Sequence, residues 1–149
     1  MYTHILIPTD GSELAQAGVA HGLALARQHG ARVTAVTATE APGGQFAYSS
    51  DLWTPGEAEM AAYERDRHRE AEAILAPVRA SAEQLRLDIE TVHVPDCRAA
   101  QAILDTARSC GCDAIVMASH GRTGMSRVML GSQTAEVLAS ADVPVIVFR

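Results

Sequence analysis

Apolar positions along the chain fall into two alternating rhythms. Runs of strand length occur at residues 4–8 (His4-Ile5-Leu6-Ile7-Pro8), 32–38, about 88–94, 114–118 and 143–148, with stretches of helical period between them. After the first run, the turn Pro8-Thr9-Asp10-Gly11-Ser12 leads into Leu14, Ala17, Gly18, His21, Gly22 and Leu25. These recur at i, i+3, i+4 spacing, as one buried helix face does. Ser12 suits the N-cap of that helix and Gly30 the residue that ends it. From Gly56 to about Arg86 the composition turns to Ala, Glu and Arg, which predicts a long surface helix. Arg65, Arg67 and Arg69 alternate there with Glu64, Asp66 and Glu70 and form a solvated, self-paired face, while Pro77 is expected to kink or break the helix. A further helix is predicted over Cys97–Ser109, with Ala100, Ile103, Leu104 and Ala107 inward, and a short one over Ser132–Ser140. The run Ala114–Ala118 is apolar throughout, as expected of a strand covered on both faces. The order β-α-β-α-β-α-β-α-β, without internal repeat, predicts an α/β fold. It is a single doubly wound five-stranded parallel sheet with helices on both faces, in one domain over residues 1–149.

Composition narrows the function classes. With 48% apolar and 20% charged residues the chain has the balance of a globular domain, and no apolar run reaches bilayer-spanning length. The first residues lack the basic region of a signal peptide and meet Pro8 early, so the expected location is cytoplasmic. The net charge is −6, and all 12 basic residues are arginine. An acidic chain without a basic stripe does not suit nucleic acid, whose phosphates supply most non-specific affinity. Cys97, Cys110 and Cys112 form an odd set that a reducing cytosol keeps as thiols, and Cys110-Gly111-Cys112 is not the spacing of a zinc ligand pair.

Ligands of doubly wound parallel sheets bind beyond the carboxyl ends of the strands. Two segments fall there: Pro8–Ser12 after the first strand and Ser119–Ser132 after the fourth. The second holds three glycines, four hydroxyl residues, Arg122 and Arg127 in 14 residues that enter a helix. Glycines admit close approach of backbone N–H groups, and a helix N-terminus attracts anions, so a phosphate is one natural occupant and a plain turn the other reading. The segment is not a P-loop, which needs a lysine, and no GxGxxG follows the first strand. Read locally, Asp10 either binds a ligand or caps the first helix with Ser12. Arg122 and Arg127 either clamp phosphates or lie in solvent. His120 and His93 are expected in structural rather than catalytic roles, and the longest predicted loop, Thr39–Pro55, carries Trp53.

Three stretches together resemble the universal stress protein family: Ile5-Leu6-Ile7-Pro8-Thr9-Asp10-Gly11-Ser12, Ile115-Val116-Met117-Ala118-Ser119-His120-Gly121 and Val143-Pro144-Val145-Ile146-Val147. The resemblance covers the whole chain in order. Its ATP-binding members carry G-x2-G-x9-G-[S/T]; here Gly121, nine residues, Gly131 and Ser132 match, while Ala118 stands at the first glycine. The resemblance implies a Rossmann-like fold of the adenine nucleotide alpha hydrolase type and, position by position, a nucleotide site. In it Asp10 binds the nucleoside beside Pro8 and Thr9, and Ala38 offers backbone to adenine. Met117 and Ala118 face ribose and base. Gly121, Gly131, Ser132 and Gln133 hold phosphates through N–H and hydroxyl groups, with Arg122 and Arg127 beside them. A Cβ at Ala118 crowds the ribose unless φ there is negative.

The expected function is that of an ATP-binding, nucleotide-responsive regulator of the stress response, with or without Mg2+ beside the phosphates, and not a dedicated enzyme. Two alternatives stay open: a member that binds no nucleotide and works through protein contacts with an unknown partner, and a slow ATPase. The resemblance also implies a homodimer through the final strand, Val143–Phe148. No nucleic acid or membrane partner is expected.

Overall fold

The computed structural model describes residues 1–40, 56–119 and 130–149. Five strands, β1 (His4–Pro8), β2 (Arg32–Thr39), β3 (Ile89–Pro95), β4 (Ala114–Ala118) and β5 (Val145–Phe148), alternate with four helices. These are α1 (Glu13–His29), α2 (Glu57–Gln84), α3 (Ala99–Cys110) and α4 (Ser132–Ser140). All neighbouring strands pair in parallel, in the order β3-β2-β1-β4-β5. The chain therefore runs outward from β1 to β3, crosses back to β4 beside β1, and runs outward again to β5. The switch in direction lies between β1 and β4.

Strand alternation divides the core into two layers. Ile5, Ile7, Val33, Ala35, Ala114 and Val116 face α1 and α2, where they meet Val19, Leu23, Leu75 and Val78. Leu6, Val36, Ile115 and Met117 face the other way, toward Ile103, Leu104 and Ala107 of α3 and Val137 of α4. β4 is buried at every position, as its apolar run predicts, whereas every residue of the edge strand β5 is half-buried.

Local signals fix most element ends. Ser12 caps α1 by accepting from the Ala15 N–H (3.2 Å), and Gly30 closes it in the left-handed region at φ 66°. Three expectations need correction. Pro77 does not break α2, which runs unbroken to Gln84; the missing N–H is outweighed by Leu75, Val78 and Ala82 buried along one stripe. α3 begins at Ala99 rather than Cys97, because Asp96 turns the chain at φ 52° before the helix can start. β5 begins at Val145 rather than Val143; Pro144 accepts from the Ile115 N–H (2.9 Å) but has no hydrogen to donate. Among the described residues no helix is long and apolar enough to cross a membrane. Trp53, with all of residues 41–55, lies outside the described residues.

Candidate functional site

The order β2-β1-β4 sets three strand ends side by side at one rim. At the spacing of neighbouring strands, β2 and β4 stand about 10 Å apart there. Between them β1 ends first. Its last register partner is Pro8 with Val36, and the Thr9 N–H then donates to the Val36 carbonyl (2.9 Å). Strand direction repeats every two residues, so the N–H and C=O of Ala38 turn toward the same side as those of Val36. On that side β1 has already ended, and the half-buried Ala38 presents a backbone edge to the rim.

The turn after β1 is built from its own side chains. The Thr9 hydroxyl accepts from the Gly11 N–H (3.2 Å), and Asp10 Oδ1 accepts from the Ser12 N–H (3.0 Å). Asp10 thus orients the residue that caps α1, and the capping contact itself belongs to Ser12. Its carboxylate stands half-buried at the rim. Gly11 is required here on two counts: its φ is +78°, and a Cβ would lie 3.1 Å from Ile74 Cγ1 of α2.

Across the rim the end of β4 is clamped to the start of α4. The Ser119 N–H donates to the Phe148 carbonyl (2.7 Å), and the Ser119 carbonyl accepts from the Gly131 N–H (2.9 Å). The buried Thr134 hydroxyl reaches both the Ser119 carbonyl (3.0 Å) and the Ala118 carbonyl (3.2 Å). This removes one expected phosphate donor: the Gly131 N–H is committed to Ser119 because the chain re-enters over the strand end at that residue. The first-turn N–H groups of Ser132, Gln133 and Thr134 have no acceptor within the helix, and Gly131 supplies no side-chain cap. The Gln133 side chain is spent elsewhere, with Oε1 accepting from the Ala100 N–H (2.8 Å) at the start of α3. Arg98 of the same turn pairs with Glu136 at 2.6 Å, so the two helix starts are tied together.

Ala118 holds an ordinary strand backbone, since among the described non-glycine residues only Arg86 and Asp96 have positive φ. Its side chain shares the Val116 face and points at α1. A Cβ added to Gly18 would lie 3.6 Å from Ala118 Cβ and 3.2 Å from Ala118 N. The methyl group at the first motif position therefore fills the space that a helix glycine leaves open. Met117, 6% exposed, faces the opposite layer and packs against α3 and α4. His93 has the structural role expected of it: Nε2 lies 2.9 Å from the Thr39 hydroxyl, and burial, then the neighbouring His68, holds its pKa below the usual histidine value.

Pro8, Thr9, Asp10, Ala38, Ala118, Gly131, Ser132 and Gln133 thus meet at one rim. Gly121, Arg122, Arg127 and His120 lie outside the described residues. Sequence reasoning missed Thr134, and it gave Ser119 and Gly18 no part in shaping the site. The first turn of a helix holding a buried threonine after Gly-Ser was the available signal for Thr134. Among the described residues no group of His, Cys, Asp and Glu could hold a metal ion.

Known proteins place this arrangement. A model of the universal stress protein family matches residues 1–149. A universal stress protein of Thermus aquaticus is 32% identical over 149 residues, covering 100% of both chains. The solved universal stress protein UspA of Lactobacillus plantarum is 25% identical, with a TM-score of 0.77 over 99% of this chain and 98% of that one. Two further solved members share the fold at 19% identity. One is a complex with cAMP (TM-score 0.70; 99% of this chain and 97% of that one covered), and the other is a complex with dAMP from Archaeoglobus fulgidus (TM-score 0.68; 99% and 98% covered). With its parallel sheet, its switch point and a family match along its entire length, the chain belongs to the universal stress protein family.

Proposed function

We propose that the protein binds ATP at the β2-β1-β4 rim and acts as a nucleotide-responsive regulator in the cytoplasm, without being a dedicated enzyme. The observation that carries this reading is the Ala38 backbone edge, left open where β1 ends early, facing the α4 N-terminus across the Asp10 turn. The span of about 10 Å suits a nucleoside. Ala38 presents an N–H beside a C=O, which pairs with the ring nitrogen and amino group of adenine. Guanine offers a ring N–H and a carbonyl at those positions and meets like with like. Phosphates then lie over the start of α4, where first-turn N–H groups without an acceptor in the helix and the helix dipole favour negative charge. Mg2+ beside those phosphates would have Asp10 as its nearest carboxylate, which fits the few protein ligands that ion takes. The cAMP and dAMP bound by two relatives support an adenine ligand. The absence of lysine from the chain weighs against phosphoryl-transfer machinery.

Native mass spectrometry of untreated protein tests the reading, with bound adenine nucleotide expected. ATP at 100 times its dissociation constant stabilises the fold by about 2.7 kcal/mol, a melting shift of roughly 5–11 °C for a domain of this size. GTP gives a smaller shift. If millimolar ATP leaves the melting temperature unchanged, the nucleotide reading fails and the protein-contact alternative takes its place. A steady-state assay with ATP is expected to show no turnover above background.

The edge strand β5 supports a homodimer. Val145, Ile146, Val147 and Phe148 are all half-buried, and their outer backbone row has no neighbour within the sheet. A two-fold axis would set this edge against its copy. Charged residues at Val145 and Val147 are expected to give monomers, and a dimer persisting in sedimentation would refute this interface.

A further inference from the structure

At the opposite end of the sheet from the rim, two thiols flank the glycine that ends α3. Cys110 is the last helical residue, Gly111 adopts φ 65° and ψ 39°, and Cys112 follows with its N–H donating to the Ala107 carbonyl (2.9 Å). The Cα separation of two residues on either side of a third is fixed by the dihedrals of that middle residue. Those of Gly111 mirror the right-handed helix, whose geometry puts the flanking Cα atoms about 5.4 Å apart. That falls inside the range of about 4.4–6.8 Å found across disulfides. Cys112 is a member of the core layer under α3, and Cys110 packs against the same layer. Gly111 itself carries no obstruction, with nothing within 4 Å of a Cβ at that position.

The two thiols differ in access. Cys110 is half-buried, whereas Cys112 is 6% exposed, and burial pushes its thiol up to about 11. Cys112 is nonetheless not sealed in. It borders a surface cavity of about 120 Å³, lined also by Leu104, Ala107, Ile115 and Val143. Burial is the main cause of the raised Cys112 pKa, and the neighbouring Thr34 hydroxyl opposes it. Thr34 is in turn held 2.8 Å from Nε2 of His4, a buried imidazole.

We propose that Cys110 and Cys112 form a dithiol modification site that takes small-molecule disulfides and closes to an intramolecular disulfide. The Cys110 thiolate attacks one sulfur of the small disulfide, forming a mixed disulfide and expelling one thiolate. The Cys112 sulfur then attacks Cys110 Sγ, the mixed bond breaks, and a second thiolate departs. The two protons of the protein thiols end on the two departing molecules, so one small disulfide becomes two thiols and the protein loses two hydrogens. So short a ring around a single glycine stores strain, which raises its reduction potential and makes the bond readily reversible. Cys97 takes no part within the chain, because the length of α3, about 18 Å, separates it from Cys110.

The test uses the full chain and oxidised glutathione. Trypsin leaves Cys110 and Cys112 together in the peptide Ser109–Arg122, with Cys97 elsewhere. The expected result is that this peptide loses two hydrogens, carries no glutathione, and regains both hydrogens with dithiothreitol. In Cys112→Ala the glutathione adduct stays on Cys110, and in Cys110→Ala the buried thiol of Cys112 stays unmodified. A stable adduct on Cys110 of the unaltered chain, a disulfide to Cys97 of a second molecule, or thiols left unchanged would each overturn the proposal. The mass of the unaltered chain decides the question even if a variant folds poorly, and no nucleotide is involved.

Discussion

Replacing Thr134 by valine isolates the clamp that holds α4 over the rim. Valine keeps the branched shape of a side chain that is 3% exposed, so packing is preserved and only the hydroxyl is lost. That hydroxyl has one hydrogen shared between the Ala118 carbonyl at 3.2 Å and the Ser119 carbonyl at 3.0 Å. The Ser119 carbonyl keeps the Gly131 N–H at 2.9 Å, whereas the Ala118 carbonyl loses this donor. Leaving a buried acceptor short of a partner costs about 1–2 kcal/mol. For a domain of this size that lowers the melting temperature by roughly 2–8 °C. Scanning calorimetry of the ligand-free protein measures the drop, and the same scan with ATP measures what the clamp does for the site. Thr134→Ser keeps the hydroxyl and removes a methyl group, about 0.8 kcal/mol of burial. It should retain the ATP-induced shift that Thr134→Val reduces. If the valine variant melts within a degree of the parent, or if both variants lose the ATP shift equally, the clamp is not what positions α4.

Three further outcomes follow from other contacts. Gly22→Ala should destabilise the fold by about 1–3 kcal/mol in denaturant titration, because its Cβ would lie 2.5 Å from Ile7 Cδ1 in a filled core; a variant as stable as the parent would refute this close packing of α1. Ala118→Gly should leave the ATP-induced melting shift unchanged within error, since the methyl group points at α1; a markedly larger shift would place that methyl in the nucleotide's path. His4 contributes stability that depends on pH: burial, then Arg32, depresses its pKa below 6.5, so the folded state binds fewer protons than the unfolded one, and stability present above about pH 6.5 is lost as pH falls below it. His4→Gln should flatten the stability profile between pH 7 and 5, and an unchanged slope would exclude His4 as its source.

The strands and helices were legible because each carries its own period, and the apolar run of β4 announced a strand covered on both faces. The parallel, doubly wound sheet also followed from the alternation of elements, whereas the strand order β3-β2-β1-β4-β5 was not read from the sequence. The details of the site were less legible because they depend on contacts between distant segments. Gln133 sits in the right stretch for a phosphate ligand, yet its carbonyl oxygen satisfies Ala100, 33 residues away. Gly131 has the composition of a phosphate loop, but its N–H closes onto Ser119. Pro77 is a breaker by local rules, and burial of one stripe of α2 overrides it. Asp10 was read both as a ligand and as part of a cap, and the fold gives it a helix-orienting bond while leaving its carboxylate at the rim.

The packing of Gly18 beneath Ala118 makes two positions 100 residues apart a single steric unit. An alanine in place of the glycine at the end of β4, taken alone, would look like the loss of a motif. Paired with a glycine on the helix beneath, it becomes an exchange of one methyl group between layers that leaves the rim's shape unaltered. Substituting alanine at position 18 while keeping it at 118 would bring a Cβ to 3.2 Å from the Ala118 nitrogen, so that α1 and β4 must shift apart by a few tenths of an ångström. The diagnostic for a departure at the first glycine is the residue on α1 that faces it, which can be read from sequence once the helix register is known.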